Sequence, residues 1–196
     1  MLIKKLSSIA EIISGYTFRY AIDSAITEDS FVLQAKNIER GHQIIDTNSL
    51  IRVKLPKTNS SSLLKKKDIV LVSKGFAHGS FRSALFMIDD KQVIANSSVL
   101  IIRVNKEKVL PEYICSYLNS DEGQRNLLSL VSGSYIQTVS KKRLVEEFTV
   151  PIPSIREQQI IVDLSVNIVM QTEYNNRKSV LLGTILDSVL KFPHIS

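Results

Sequence analysis

The sequence predicts an α+β fold: a mixed α/β head over residues 1–150, then one long C-terminal helix over residues 151–196 that pairs as an antiparallel coiled coil. Three observations predict it. The run Pro151-Ile152-Pro153-Ser154-Ile155-Arg156-Glu157 enforces an extended lead-in, because neither proline donates a backbone hydrogen bond, and then supplies Ser154 and Glu157 as a capping box. From there to Lys191 no proline occurs and Gly183 is the single glycine, giving a rod of about 57 Å at about 1.5 Å per residue. Before it, short aliphatic runs bounded by turn signals give way to helical spacing at Pro111.

Taken in order, Leu6, Ile9, Ala10 and Ile13 fall at helical spacing, so residues 7–13 read as a short amphipathic helix closed before Gly15. Residues 14–20 read as a loop. Residues 31–35 and 49–53 read as strands separated by the turn signal Glu39-Arg40-Gly41-His42, and residues 58–62 as a polar loop. Residues 68–72 form a buried strand ending at Ser73-Lys74-Gly75. Residues 83–88 and 98–104 make two more strands flanking a turn at Asp89-Asp90-Lys91. Pro111 suits a first helical turn, and Tyr113, Ile114, Tyr117 and Leu118 then share one face. A second short helix covers 121–130, a loop 132–137, and a last helical turn 141–145 leads into a strand at 148–152.

The long helix is apolar at both ends and polar in the middle. Ile155, Ile160, Ile161, Leu164 and Ile168 form one cluster, and Leu181, Leu182, Ile185, Leu186, Val189 and Phe192 the other, while residues 171–179 offer only Tyr174. A rod this long overhangs its head and cannot bury both clusters alone. Pairing two copies antiparallel brings the N-terminal cluster of one against the C-terminal cluster of its mate. Ile160, Ile161, Leu164, Ile168, Leu181, Leu182, Ile185 and Val189 are therefore the expected homodimer contacts.

Charge locates a different partner. Residues 1–153 hold 21 Lys and Arg against 15 Asp and Glu, whereas residues 154–196 balance at four of each. A basic head suits a polyanion, most economically nucleic acid, whose phosphates release counterions on binding, and charge alone fits a plain solubility charge equally well. The apolar runs are too short to span a bilayer, and Ser7, Ser8 and Glu11 interrupt any leader-like segment, so a cytoplasmic location without membrane partners is expected. One cysteine, Cys115, excludes an internal disulfide framework and a cysteine-based zinc site.

Several segments resemble, in order, the specificity subunit of type I restriction-modification systems. Ile9-Ala10-Glu11-Ile12-Ile13-Ser14-Gly15-Tyr16-Thr17 is similar to the start of that family's target recognition domain. Lys67-Asp68-Ile69-Val70-Leu71-Val72-Ser73-Lys74-Gly75 resembles its glycine-aspartate-isoleucine strand and following glycine loop, with Lys67 where a glycine is usual. Pro111-Glu112-Tyr113-Ile114-Cys115-Ser116-Tyr117-Leu118 resembles its proline-tyrosine-leucine helix, and Gly133-Ser134-Tyr135-Ile136-Gln137 its glycine-to-glutamine loop. Pro151-Ile152-Pro153-Ser154-Ile155-Arg156-Glu157-Gln158 is similar to the lead-in of its conserved spacer helix. The usual member carries two recognition domains and two spacer helices; this chain has one of each and resembles a half-subunit.

The resemblance implies a non-catalytic subunit that reads half of a bipartite site in double-stranded DNA. It also implies docking of methyltransferase subunits and the restriction subunit, so that S-adenosylmethionine and ATP with Mg belong to those partners and no cofactor to this chain. A truncated relative acting as a protein-interaction adaptor is the alternative. Candidate readers sit on loops at strand ends: Lys74, His78 and Arg82 between glycines; Tyr135, Gln137, Lys141 and Lys142 as a second cluster; Arg19 and Tyr20 as a third. The run Lys65-Lys66-Lys67 reads as a solvated turn. Catalytic signals are weak: Asp89-Asp90-Lys91 reads as a turn and Glu146-Glu147 as a surface pair. His42, His78 and His194 lack metal-ligand spacing, and the stretch from Gly75 to Gly79 lacks the ending of a phosphate-binding loop.

Overall fold

The computed structural model describes residues 2–18, 30–54, 61–75, 79–105, 107–132 and 137–191. Along the chain, β1 (Leu2–Lys5) and a 3-10 turn (Leu6–Ser8) precede β2 (Ala10–Ser14), β3 (Ser30–Leu33), β4 (Gln43–Ile44), β5 (Ile51–Arg52), β6 (Ile69–Val72), β7 (Lys74–Gly75), β8 (Ser83–Phe86), β9 (Gln92–Ala95) and β10 (Val99–Val104). Then come α1 (Pro111–Asn119), α2 (Asp121–Ser129), β11 (Val131–Ser132), β12 (Gln137–Val139), α3 (Lys141–Glu146), β13 (Thr149–Ile152) and α4 (Ile155–Lys191). The α+β head and long terminal helix are those the sequence predicts.

A five-stranded sheet in the order β2-β10-β6-β8-β4 forms the middle layer. Its central strands are buried on both faces, which is why β6 reads as the continuous run Ile69-Val70-Leu71-Val72. Ile69 and Leu71 point into one core with Ile114, Leu118, Leu127 and Leu144 of α1, α2 and α3. Val70 and Val72 point into the other, with Phe31, Leu33, Val93 and Ala95 of the second sheet, β5-β3-β9. Asp68, almost wholly buried at the start of β6, is held by Arg103 of β10 through paired bonds of 2.8 and 2.7 Å.

Three local expectations are corrected. Residues 7–13 are a turn plus strand β2, not a helix. The spacing of Leu6 and Ile9 belongs to the 3-10 turn, while Ile12 and Ile13 pair with Ile102 and Ile101 of β10 and enter opposite cores. Strands β8 and β10 do not flank a simple turn, because β9 intervenes and pairs parallel with β3, burying Val93, Ile94 and Ala95. Gln137, expected within a loop, lies in β12.

Ser154 and Glu157 close the expected capping box: the Ser154 amide donates to Glu157 Oε2 at 2.8 Å and the Glu157 amide to Ser154 Oγ at 3.4 Å. Beyond it, α4 runs 37 residues, and a narrow stripe touches the head. Gln158 and Val162 are buried, and Ser165, Val169 and Glu173 are half-buried, at the three- and four-residue intervals of one helical face. Every residue from Tyr174 to Lys191 is exposed; Phe192, expected in the second apolar cluster, lies outside the described residues. Among the described residues no helix is long and apolar enough to cross a membrane.

Candidate nucleic-acid interface

Two clusters that are separate in sequence meet in a small sheet, β11-β12-β7. Its register sets Gln137 opposite Gly75 and Thr138 opposite Lys74. The sheet is rooted in the core through Ser73: its amide and hydroxyl both donate to Ser98 O at 3.0 Å, and its carbonyl accepts from the Val139 amide at 2.9 Å. Lys74, the next residue, is exposed. Gly75 packs closely on Ser80, where a Cβ on the glycine would fall 2.3 Å from Ser80 Cβ, and Gly79 adopts a positive φ of 84°. Both positions require glycine.

Gln137 is partly buried, and its Oε1 is buried with no hydrogen-bond partner among the described residues. A buried acceptor left in that state costs about 1–3 kcal/mol. One residue past β12, α3 opens with Lys141 and Lys142, both exposed. A helix N-terminus favours anions, so two lysines in the first turn oppose the local dipole and are better suited to meeting a phosphate than to stabilising the helix. Arg143 differs from them. It donates to both carboxylate oxygens of Glu147 at 2.9 Å and to the carbonyls of Ser129 and Val131 at 3.3 Å, clipping α3 to the end of α2.

Arg82 is also engaged internally: Nε donates to Ile38 O at 3.0 Å and Nη2 to Ala35 O at 3.4 Å. Arg19, Tyr20, His78 and Tyr135 lie outside the described residues. The structure therefore puts Lys74 and Gln137 on adjacent strands of one small sheet, with their side chains on opposite faces because Lys74 is level with Thr138, sets Lys141 and Lys142 just beyond β12, and turns Arg82 inward as a brace.

A residue that its sequence context does not single out is the anchor of the helix. Gln158 is fully buried; its Nε2 donates to Lys108 O and Pro153 O, each at 3.0 Å, and its Oε1 accepts from the Leu110 amide at 2.9 Å. This locks α4 to the start of α1. Tyr113 adds a bond of 2.6 Å to Pro151 O, and burial pushes its hydroxyl up to about 12. The signal is present as the Glu157-Gln158 pair, but nothing local separates Gln158 from its exposed neighbour Gln159.

The type I restriction modification DNA specificity domain family matches residues 2–180. The chain belongs to that family. Solved structures agree in fold. A type I restriction-modification assembly, described by its complex assembly and conformational transition, superposes with a TM-score of 0.68 at 12% identity, over 96% of this chain and 43% of that one. The specificity subunit from Thermoanaerobacter tengcongensis gives 0.59 at 13% identity, over 90% and 39%. The subunit from M. genitalium gives 0.54 at 16%, over 90% and 42%. This chain thus spans about two-fifths of the length of these structures. Among curated proteins none matches it in sequence. Within the specificity-subunit fold, β7 and β12 belong to the head and α4 is the long helix that leaves it.

Proposed function

We propose that this chain is the DNA-recognition element of a type I restriction-modification system, with residues 1–150 reading DNA and residues 151–196 serving as the spacer and pairing helix. The observation that carries the reading is the β7–β12 ladder, which puts Lys74 and Gln137 on one small sheet with Lys141 and Lys142 just beyond it. The three lysines supply phosphate contacts that set register. A glutamine amide is the side chain suited to bidentate recognition of adenine in the major groove. Arg19, Tyr20, His78 and Tyr135 are further proposed readers, and Arg82 supports the head from within.

On this reading the chain is non-catalytic and cytoplasmic, and two copies pair through their helices to read an inverted, interrupted site. Methyltransferase and restriction subunits dock on it and supply S-adenosylmethionine and ATP chemistry. The test is DNA binding by the assembled chain and methyltransferase partner across salt concentrations. Replacing Lys74, Lys141 and Lys142 together by glutamine lowers the salt slope by about 0.9 for each phosphate no longer neutralised, and Gln137→Ala relaxes preference at one position. An unaltered slope and preference would overturn the proposal.

A further inference from the structure

The basic run Lys141-Lys142-Arg143 divides in the folded chain. Lys141 and Lys142 are exposed, whereas Arg143 is partly buried with every nitrogen of its guanidinium engaged. Nε and Nη2 grip the two carboxylate oxygens of Glu147, one turn along, while Nη1 donates to Val131 O and Nη2 also to Ser129 O. A guanidinium forked onto a carboxylate keeps a fixed plane and has its charge matched at close range, so Arg143 has little left to offer a phosphate. Its hydrogen bonds hold the Glu147 carboxyl below the ordinary 4.5, and the pair is ionised at neutral pH.

The main chain closes the arrangement. Val131 pairs with Val139 across the β11–β12 ladder, and Ser140 follows Val139. The Arg143 amide donates to Ser140 Oγ at 3.2 Å. Val139, Ser140, Lys141, Lys142, Arg143 and Val131 therefore form a ring closed by the ladder and by the Arg143 side chain, and the two lysines are its only exposed members. The ring matters because α3 has six residues, less than two turns, too few to hold a direction by its own hydrogen bonds. Leu144 in the core and the Ser7 hydroxyl, which donates to Val145 O at 2.7 Å, hold its second half. The first turn, which carries the lysines, is held by Ser140 and Arg143.

We propose that Arg143 is a positioning residue for DNA binding: locked by Glu147 onto the carbonyls of Ser129 and Val131, it holds the turn that presents Lys141 and Lys142 to backbone phosphates and makes no phosphate contact itself. This role rests on the DNA recognition proposed above and separates the two cations that bind from the one that aims them.

The full chain and a random-sequence DNA duplex test it, because phosphate contacts are independent of sequence and the slope of log affinity against log salt counts them. Lys141→Gln combined with Lys142→Gln is expected to lower the slope by about 1.8. Arg143→Lys keeps the charge but loses the fork, and is expected to lower the slope by at least about half as much, although a direct phosphate contact would survive this change. Arg143→Gln added to the two lysine changes is expected to leave the loss at about 1.8, because the arginine acts only through the lysines, whereas an arginine on a phosphate of its own would take it to about 2.7. Glu147→Gln removes a negative charge, which by charge alone strengthens DNA binding; here it is expected to weaken binding, since Arg143 loses half of its fork. Partial unfolding, followed by circular dichroism, lowers the fraction of active protein without changing the slope, so a merely structural role does not imitate these results.

A wild-type slope for Arg143→Lys, a loss near 2.7 in the triple variant, or tighter binding by Glu147→Gln would overturn the positioning role and leave the lysine contacts standing. A wild-type slope for the double-lysine variant would overturn the lysine contacts and the positioning role together, so the two failures are distinguished.

Discussion

Replacing Gln158 by alanine is expected to destabilise the protein by about 3 kcal/mol, although the position lies on a helix that is otherwise largely exposed. The side chain makes three bonds, accepting from the Leu110 amide and donating to Lys108 O and Pro153 O, with no accessible surface of its own. Alanine strands one amide and two carbonyls at the junction of α1, β13 and α4. Each buried group left without a partner costs about 1–3 kcal/mol, and the Lys108 carbonyl, on an exposed residue, recovers some of its share from water. Taking the lower part of that range for each gives about 3 kcal/mol, or a fall in Tm of about 6–12 °C for a chain of this size.

Gln158→Glu discriminates between lost volume and lost donors. It keeps the acceptor for Leu110 but sets a carboxylate against two carbonyl oxygens, and is expected to be at least as damaging as alanine. Gln159→Ala, one residue along, removes an exposed bond of 2.8 Å to Asp163 and is expected to stay within about 0.5 kcal/mol. Urea unfolding of the three variants, with hydrogen exchange at the Leu110 amide, decides the matter. A loss below about 1 kcal/mol for Gln158→Ala with undiminished Leu110 protection would refute the account of this anchor.

Asp68→Asn breaks the paired bond to Arg103 beneath the sheet and is expected to cost about 3 kcal/mol in urea unfolding, because it leaves a guanidinium facing a neutral amide in a largely buried site. Burial pushes the Cys115 thiol up to about 12, against an ordinary value of 9.0, so it should resist thiol reagents at pH 8 until the chain unfolds. An unfolded chain loses that proton first, so stability should decline as pH rises above about 9, and Cys115→Ala should flatten the decline. The hydrogen bonds from Ser154 hold the Glu157 carboxyl below its ordinary 4.5, so the capping box contributes fully above that value and is lost as pH falls through the lower folded one. Glu157→Gln should remove that part of the acid sensitivity, measured by unfolding between about pH 3 and 6.

How much is legible in the sequence depends on whether a residue's role is local. The boundary at Pro151 to Glu157, the buried run at Ile69 to Val72 and the face of Tyr113, Ile114, Tyr117 and Leu118 are readable, because capping, continuous apolarity and helical spacing are written in adjacent residues. Strand β2 is hidden, because Leu6 and Ile9 belong to a tight turn whose spacing imitates a helix, while Ile12 and Ile13 are claimed by β10 from about ninety residues away. For the same reason β9 escapes a local reading: Gln92-Val93-Ile94-Ala95 becomes a strand by pairing with β3. At the candidate site the residue types are legible and their grouping is not. Lys74 and Gln137 are brought together by a ladder between strands about sixty residues apart, and Arg82 and Arg143 resemble free cations until their carbonyl and carboxylate partners are seen.

A long helix joined to a domain by one peptide would be a tether, and its apolar residues could point anywhere. Here α4 is held at three levels over about four turns: Gln158 at the base, Val169 against Gly41, and Glu173 with its carboxylate 3.3 Å from His42 Nδ1. The positive φ of 74° at Gly41 lets that turn approach the helix, where a Cβ would fall 3.2 Å from Val169 Cγ2. These contacts fix the rotation of the helix as well as its tilt. Rotation is the sensitive quantity, because a slip of one residue turns the helix by about 100° and would carry Gln158 and Val162 away from the head. The polar stripe through Gln158 and Glu173 therefore orients the helix on its own head through a few fixed atoms, while the apolar residues Ile161, Leu164 and Ile168 stay exposed. On the proposed reading, in which two such helices pair, the distance between two heads then follows from the length of helix beyond Gln158, which makes the helix a ruler.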